Sequence, residues 1–359
     1  MPVPAIHQFV AGYAAGDAIS NEVRMLRSIF KGWGAPESYI FAERRNTAPD
    51  LQFDVKDIRE DVGLIGKDDI ALLHLSIGCD ANLVFKDLPC KKAILYHNIT
   101  PADFFRGFNE KTAHMLARGR QEAEMLAHSA QVVMACSKFN ADELAAMGYP
   151  PATVLPLVLD FSALRGKASK RVLRMVGDGL TNILFVGRCV PNKRIEDLLN
   201  AYYYYVRFVN PLSRLIHVGT YGSADQYHLM LLARGKEMGF QNLLFTGPVT
   251  QEELNAYYQS AHVFLCMSEH EGFCIPLIEA MVNNVPVAAY AAGAVPETMD
   301  GAGVLFHQKD YAVIAETIDR LAKPTPLREA VLKGQQARLS RYEAAPLADI
   351  LRNALAPLM

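Results

Sequence analysis

Apolar positions in this chain fall into short runs that alternate with longer stretches where they recur every third or fourth residue. The short runs read as strands over residues 5–10, 38–42, 70–75, 92–97, 131–135 and 152–157. They resume over 182–187, 214–219, 242–246, 262–267, 286–290 and 303–306. The periodic stretches, such as 18–30, 103–128, 195–208 and 225–238, read as helices. Val/Ile/Leu-rich strands separated by helices predict α/β architecture with parallel sheets covered on both faces. The alternation lapses over 161–180, where Arg165, Lys167, Lys170, Arg171 and Arg174 stand with no acidic residue among them. That stretch is expected to link two Rossmann-like domains, 1–160 and 181–343. Helical spacing returns over 344–359, and this last helix is expected to pack back on the first domain.

Composition sharpens the picture. A chain of 359 residues, 51% hydrophobic and 21% charged, has material for two cores. A formal charge of -2 gives no basic field for nucleic acid. No apolar run reaches the roughly 18–20 residues that span a bilayer. Residues 1–7 lack a basic segment leading into an apolar core, so no leader peptide is expected. The six cysteines show no C-x-x-C spacing, which points to reduced thiols and a cytoplasmic protein. The basic cluster around 165–174, with Arg106, Lys111, Arg118 and Arg120, allows a weak peripheral membrane contact of about 1 kcal/mol per residue. A solvated face is the commoner role for such clusters.

The candidate chemistry sits where strands end. After strand 262–267 come Glu271-Gly272-Phe273-Cys274-Ile275-Pro276-Leu277-Ile278-Glu279. A helix beginning at the Pro offers backbone N–H groups and a positive end to an anion, and two carboxylates stand ready for sugar hydroxyls. Glu279 alone would be explained as a dipole partner of its helix. After strand 182–187 come Gly187, Arg188 and, five residues on, Lys193. Gly permits close backbone approach, Arg grips phosphate with a planar fork and Lys adds a point charge. Phosphate and polyol held together describe a nucleotide sugar. In the first half, Gly12 to Asp17 forms a glycine-containing strand–helix turn in which Asp17 can cap the helix. His97 ends another strand, where ligands bind in such folds. His74 lies within an apolar strand and reads as a satisfied core residue. The Tyr202–Tyr205 run lies in a helical pattern, so its members point different ways and serve packing.

Over residues 182 to about 321 the chain resembles the family 4 retaining glycosyltransferases of the GT-B fold. The resemblance rests on Phe185-Val186-Gly187-Arg188 with Lys193, on Phe245 to Val249, on Glu252-Glu253-Leu254 with Tyr257-Tyr258, on the Glu271–Glu279 segment, and on Gly293 with Pro296-Glu297. It implies two Rossmann-like domains facing across a cleft, with the acceptor on the first and the donor on the second. It implies that Arg188 and Lys193 neutralise the donor diphosphate, Glu279 takes the ribose and Glu271 the sugar. Val249 would border the nucleobase, Gly272, Phe273, Cys274 and Ile275 would turn amides to phosphate and sugar, and Gly16 and Asp17 would approach from the other domain. His97 would face the donor sugar.

Three departures stand out: the family commonly has Gly where this chain has Arg194, Cys274 and Asn284. Asn284 can serve as a helix C-cap, and Arg194 is expected to point to water. No D-x-D pair ends a strand, so no metal and no cofactor are expected. The expected activity is retaining transfer of a sugar, with GDP-mannose the first donor to test. The acceptor would be a glycan or lipid-linked saccharide, as in polysaccharide or O-antigen synthesis. The alternatives are a phosphorylase or epimerase of the same fold, or a non-catalytic sugar-nucleotide-binding protein.

Overall fold

All strand pairs are parallel in the computed structural model, which describes residues 3–222 and 225–359. Met1 and Pro2, the start of the stretch read for a leader, lie outside the described residues. Parallel pairing needs a crossover between successive strands, and the helical stretches supply it. The chain divides into two units, each with its own sheet.

The first unit comprises the residues up to Asp103, Lys111–Leu159 and Pro346–Met359. Its strands are β1 (Ile6–Phe9), β2 (Ile40–Ala42), β3 (Val55–Asp57), β4 (Ile70–Leu75), β5 (Lys91–Tyr96), β6 (Val132–Ala135) and β7 (Thr153–Val154), in the order β3-β2-β1-β4-β5-β6-β7. One sheet face offers Ile6, Ile70, Leu72, Ala93, Leu95, Val132 and Met134, alternate positions that side chains of period two place together. Leu26 and Phe30 of helix Ala18–Gly32 cover this face. So do Leu351, Leu355 and Leu358 from the C-terminal helix Leu347–Leu355 and the 3-10 turn after it.

The second unit comprises Phe104–Glu110 and Asp160–Ala345. Its strands are β8 (Thr181–Val186), β9 (Ser213–Val218), β10 (Leu243–Phe245), β11 (Val263–Cys266), β12 (Val287–Tyr290) and β13 (Val304–Phe306), in the order β10-β9-β8-β11-β12-β13. Counted within the unit this is 3-2-1-4-5-6, the order of dinucleotide-binding sheets.

The structure corrects several expectations. The linker expected over 161–180 folds into helices Phe161–Leu164 and Lys170–Val176, capped by Asp160 and Ser169. It is tied into the second unit by Ser169 N–H donating to Glu252 O at 2.8 Å and by Asn255, which donates to Ala163 O and Lys167 O. The chain therefore changes unit at Leu159/Asp160 and at Ala345/Pro346, as it does on either side of Phe104–Glu110. The helix expected over 103–128 begins at Glu110, because Gly107 turns the chain at φ 80°. The segment before it joins the second unit, where the Phe108 ring lies edge-on to Tyr227 at 5.2 Å. Strand β3 was not legible, being short, polar and at the sheet edge. Of the basic residues considered for lipid contact, Arg118 pairs with Asp80 and Glu122, Arg120 with Glu143, Arg165 with Glu343 and Arg171 with Glu253.

Candidate functional site

Strands β8 and β11 lie side by side although far apart in sequence, with Val263 opposite Ile183 and Phe264 opposite Leu184. Being parallel, they release their following loops at the same sheet end. Between them the strand order reverses, and such a reversal opens a crevice outside the carboxyl ends of the strands. Gly187, Arg188 and Lys193 leave β8 there; Glu271 to Glu279 leave β11.

The loops touch. The Lys193 ammonium donates to both oxygens of Glu271 at 2.7 Å. Glu271 is 7% exposed and the lysine side chain 18%. Burial works against the lysine's charge, but the Glu271 carboxylate more than offsets it and holds the ammonium above the ordinary lysine pKa. Arg188 is exposed, and its guanidinium has no partner among the described residues. Backbone packing makes this approach close: a Cβ on Gly219, at the end of β9, would stand 1.9 Å from Gly187 O. On the other side Gly293, at φ 55°, lies against Glu271, where a Cβ would meet Glu271 O at 2.5 Å.

Helix Ile275–Val282 follows with Pro276 in its first turn and no side-chain cap. Phe273 and Cys274 are buried at its start, with Gly272 and Ile275 partly exposed. On the first turns Glu279 accepts from Tyr258 OH at 2.7 Å. Burial pushes the Glu279 carboxyl above its ordinary pKa, partly offset by that hydrogen bond. Tyr258 stood within the motif segments, but its role as partner of Glu279 was not read from them. Val249 lies in the loop after β10, between Gly247 and the capping box of Thr250 and Glu253. The expectation that Arg194 points to water is corrected. It pairs with Glu196 at 3.1 Å, Asp197 at 3.4 Å and Glu269 at 3.3 Å, in a network completed by Lys309. All three departures from glycine keep the left-handed backbone a glycine would favour: Arg194 at φ 50°, Cys274 at 71° and Asn284 at 54°.

In the first unit Gly16 is exposed at φ 75°, and Asp17 caps helix Ala18–Gly32 by accepting from Ser20 N at 2.9 Å. His97 is hydrogen-bonded through one ring nitrogen and faces a carboxyl group with the other, both within this unit. Gln8 donates its amide to Val23 O at 3.0 Å, which turns its oxygen to His74 Nε2 at 3.0 Å. His74 Nε2 therefore carries the proton, its Nδ1 accepts, and His97 Nε2–H donates to it at 2.9 Å. The bare His97 Nδ1 then faces Glu22 Oε2 at 3.5 Å. Two acceptors cannot face one another comfortably, so Glu22 holds a proton; burial pushes its carboxyl up to about 8. Neutral His97 is consistent with its pKa falling to about 3 on burial. His97, expected to face the donor sugar, thus ends an internal relay that the sequence did not announce.

Residues 176–338 match the family described as glycosyl transferases group 1. O-antigen chain mannosyltransferase B of Escherichia coli is 32% identical over 135 residues, 38% of this chain and 35% of that protein. A D-inositol 3-phosphate glycosyltransferase of Streptomyces bingchenggensis is 29% identical over 74% of this chain and 59% of its own length. The chain thus spans less than two thirds of these curated relatives. The structure of HepE of Anabaena in complex with UDP and glucose superposes with a TM-score of 0.76 at 15% identity, over 99% of each chain. The chain has the GT-B fold, and its residues 176–338 resemble the group 1 glycosyl transferases.

Proposed function

We propose that the chain is a glycosyltransferase that moves a sugar from a nucleoside-diphosphate sugar to a hydroxyl acceptor with retention of configuration and without a metal. The observation that carries this reading is the Lys193–Glu271 pair beside the uncapped helix Ile275–Val282, where the strand order of the second sheet reverses. In the free protein each member of the pair satisfies the other. A bound diphosphate draws Lys193 and Arg188 to its oxygens, and Glu271, released, accepts from hydroxyls of the sugar. Glu279, already oriented by Tyr258, takes the ribose hydroxyls, and Val249 borders the base.

As the bond from anomeric carbon to diphosphate breaks, negative charge grows on the leaving oxygen. Two cations drawn to the diphosphate and a helix N-terminus already in place stabilise it, which is the work a divalent metal does elsewhere. The acceptor hydroxyl attacks from the face the diphosphate is leaving and passes its proton to a departing phosphate oxygen. No carboxylate is assigned to a covalent intermediate. Gly16 and Asp17 would serve the donor, and His97 its sugar, as the resemblance implies.

A mannosyl donor such as GDP-mannose and an acceptor of O-antigen or polysaccharide type draw support from the Escherichia coli relative, itself an O-antigen mannosyltransferase. UDP in the superposed structure keeps UDP-sugars on the panel. The reading makes this a cytoplasmic protein, with at most weak peripheral contact to membrane lipid because four of its basic residues are ion-paired.

Incubation with a panel of nucleotide sugars and acceptors should release nucleoside diphosphate. Lys193→Ala and Glu271→Ala should each lower kcat/KM at least ~100-fold, a size typical of removing one charge-stabilising group. Undiminished turnover in either variant, or an inverted anomer by NMR of the product, would overturn the reading.

A further inference from the structure

Beneath the Lys193–Glu271 pair lie two thiols that the proposed reaction does not use. Cys266 ends β11, wholly buried; Cys274 stands at the start of helix Ile275–Val282, 7% exposed. Neither is in a disulfide. Their sulfurs and a Glu271 oxygen lie within 4.8 Å of one another. We propose that Cys266, Cys274 and Glu271 form a binding site for a soft divalent cation of the zinc class, and that its occupancy shuts the donor site.

Three observations point the same way. Zinc bonds sulfur at about 2.3 Å and carboxylate oxygen at about 2.0–2.2 Å, so a tetrahedral site wants donors roughly 3.5–3.8 Å apart. The cluster needs to contract only modestly to reach that spacing. Next, Cys274 holds φ 71° and ψ 65°, a backbone state costly for a side chain and free for glycine. An outlier kept at that cost is where a function is sought, and here it turns a second thiol towards Cys266. Finally, the charges close. Two thiolates and one carboxylate balance one divalent cation and the Lys193 ammonium, which already sits on Glu271, so the buried group is neutral as a whole. Thiolate donors select zinc or cadmium over magnesium or calcium. Three protein ligands leave a fourth position for water.

The cation would hold Glu271, Cys274 and the Lys193 ammonium that completes the charge balance, so Lys193 could no longer turn to the diphosphate nor Glu271 to a sugar hydroxyl. That consequence rests on the proposed donor site; the cation site itself does not.

The reduced, metal-free full chain is titrated with cadmium alone, with no sugar nucleotide present. The expected result is thiolate-to-cadmium charge-transfer absorption that saturates at one cadmium per chain and disappears in Cys266→Ala. The four other cysteines remain in the variant and control for scattered thiols. Cys266→Ser, closer in volume, serves if the alanine variant does not fold. Absorption that is absent, or that persists unchanged in the variants, overturns the site. In a second arm, saturating zinc should weaken GDP or UDP binding at least tenfold in the native chain and not in the Cys266 variant. Unchanged nucleotide binding beside a positive cadmium titration overturns the closing role alone. Nucleotide binding with no cadmium signal overturns the cation site and leaves the donor reading intact.

Discussion

At the residue scale, backbone conformation explains how far this chain can depart from its family's pattern. Arg194, Cys274 and Asn284 all adopt the left-handed state that the resemblance predicts for glycine at these places. The conformation is set by what each position must do, ending a turn or opening a helix, so the position is legible even where the residue is unusual. At Cys274 the strain of a side chain, about 1–2 kcal/mol, is largely cancelled on change to glycine by the lost rigidity of the unfolded chain. Cys274→Gly should therefore shift stability in urea by less than about 1 kcal/mol, whereas the β-branched Cys274→Val should cost about 2 kcal/mol or more. Equal effects would show that backbone strain is not what matters there.

Glu22 makes the same point for protonation. Its carboxyl, raised by burial from 4.5 to about 8, is neutral in the fold and ionised in the unfolded chain at neutral pH. The folded state binds the extra proton between those values, so stability is full below about pH 4.5 and falls as pH rises towards 8. Glu22→Gln keeps a neutral group beside His97 Nδ1 and removes that slope. Measured against the native chain, the variant should gain about 2 kcal/mol in relative stability between about pH 6 and pH 8.5. Parallel pH profiles for the two proteins would mean that Glu22 is ionised. No sequence pattern showed this, because the proton is fixed by partners from β1, β4, the end of β5 and a helix together.

At the element scale, most strand positions were legible because period-two burial and Val/Ile/Leu enrichment act within a few residues. The failures have physical causes. Val55-Lys56-Asp57 at a sheet edge needs no apolar alternation. The basic stretch read as a linker folds into two short helices because caps and a neighbouring helix hold it, and neither is visible in its own periodicity. Element ends matter most where they touch. The tips of β8 and β9 approach so closely that Gly219→Ala would drive a methyl against Gly187 O. It should cost about 3 kcal/mol or more and reduce nucleoside diphosphate affinity. Wild-type urea stability in that variant would show that the tips can separate freely.

At the scale of the molecule, the last residues of the chain belong to the first unit. Leu351, Leu355 and Leu358 are buried in its core, and Lys91 donates to Leu358 O at 2.8 Å. Its packing places the effect of removing this helix in that unit. A chain ending at Ala345 should lose several kcal/mol from the first unit, since each buried leucine removed costs about 2–5 kcal/mol. Hydrogen exchange should then rise in β1, β4, β5 and β6 while β8, β9, β11 and β12 keep their protection. Equal loosening of both sheets would contradict this placement.

The family resemblance marked the glycine-like positions; by itself the sequence determined the alternation of strand and helix and the strand ends at which Gly187, Arg188, Lys193 and the Glu271–Glu279 segment emerge. These follow from interactions within one turn or one strand. Only tertiary structure decided that β8 lies beside β11, that Lys193 is held by Glu271, that Arg194 is ion-paired, and that His97 ends a relay charged with the proton of Glu22. Such pairings join segments far apart in the chain, and no local pattern of residues carries their distance.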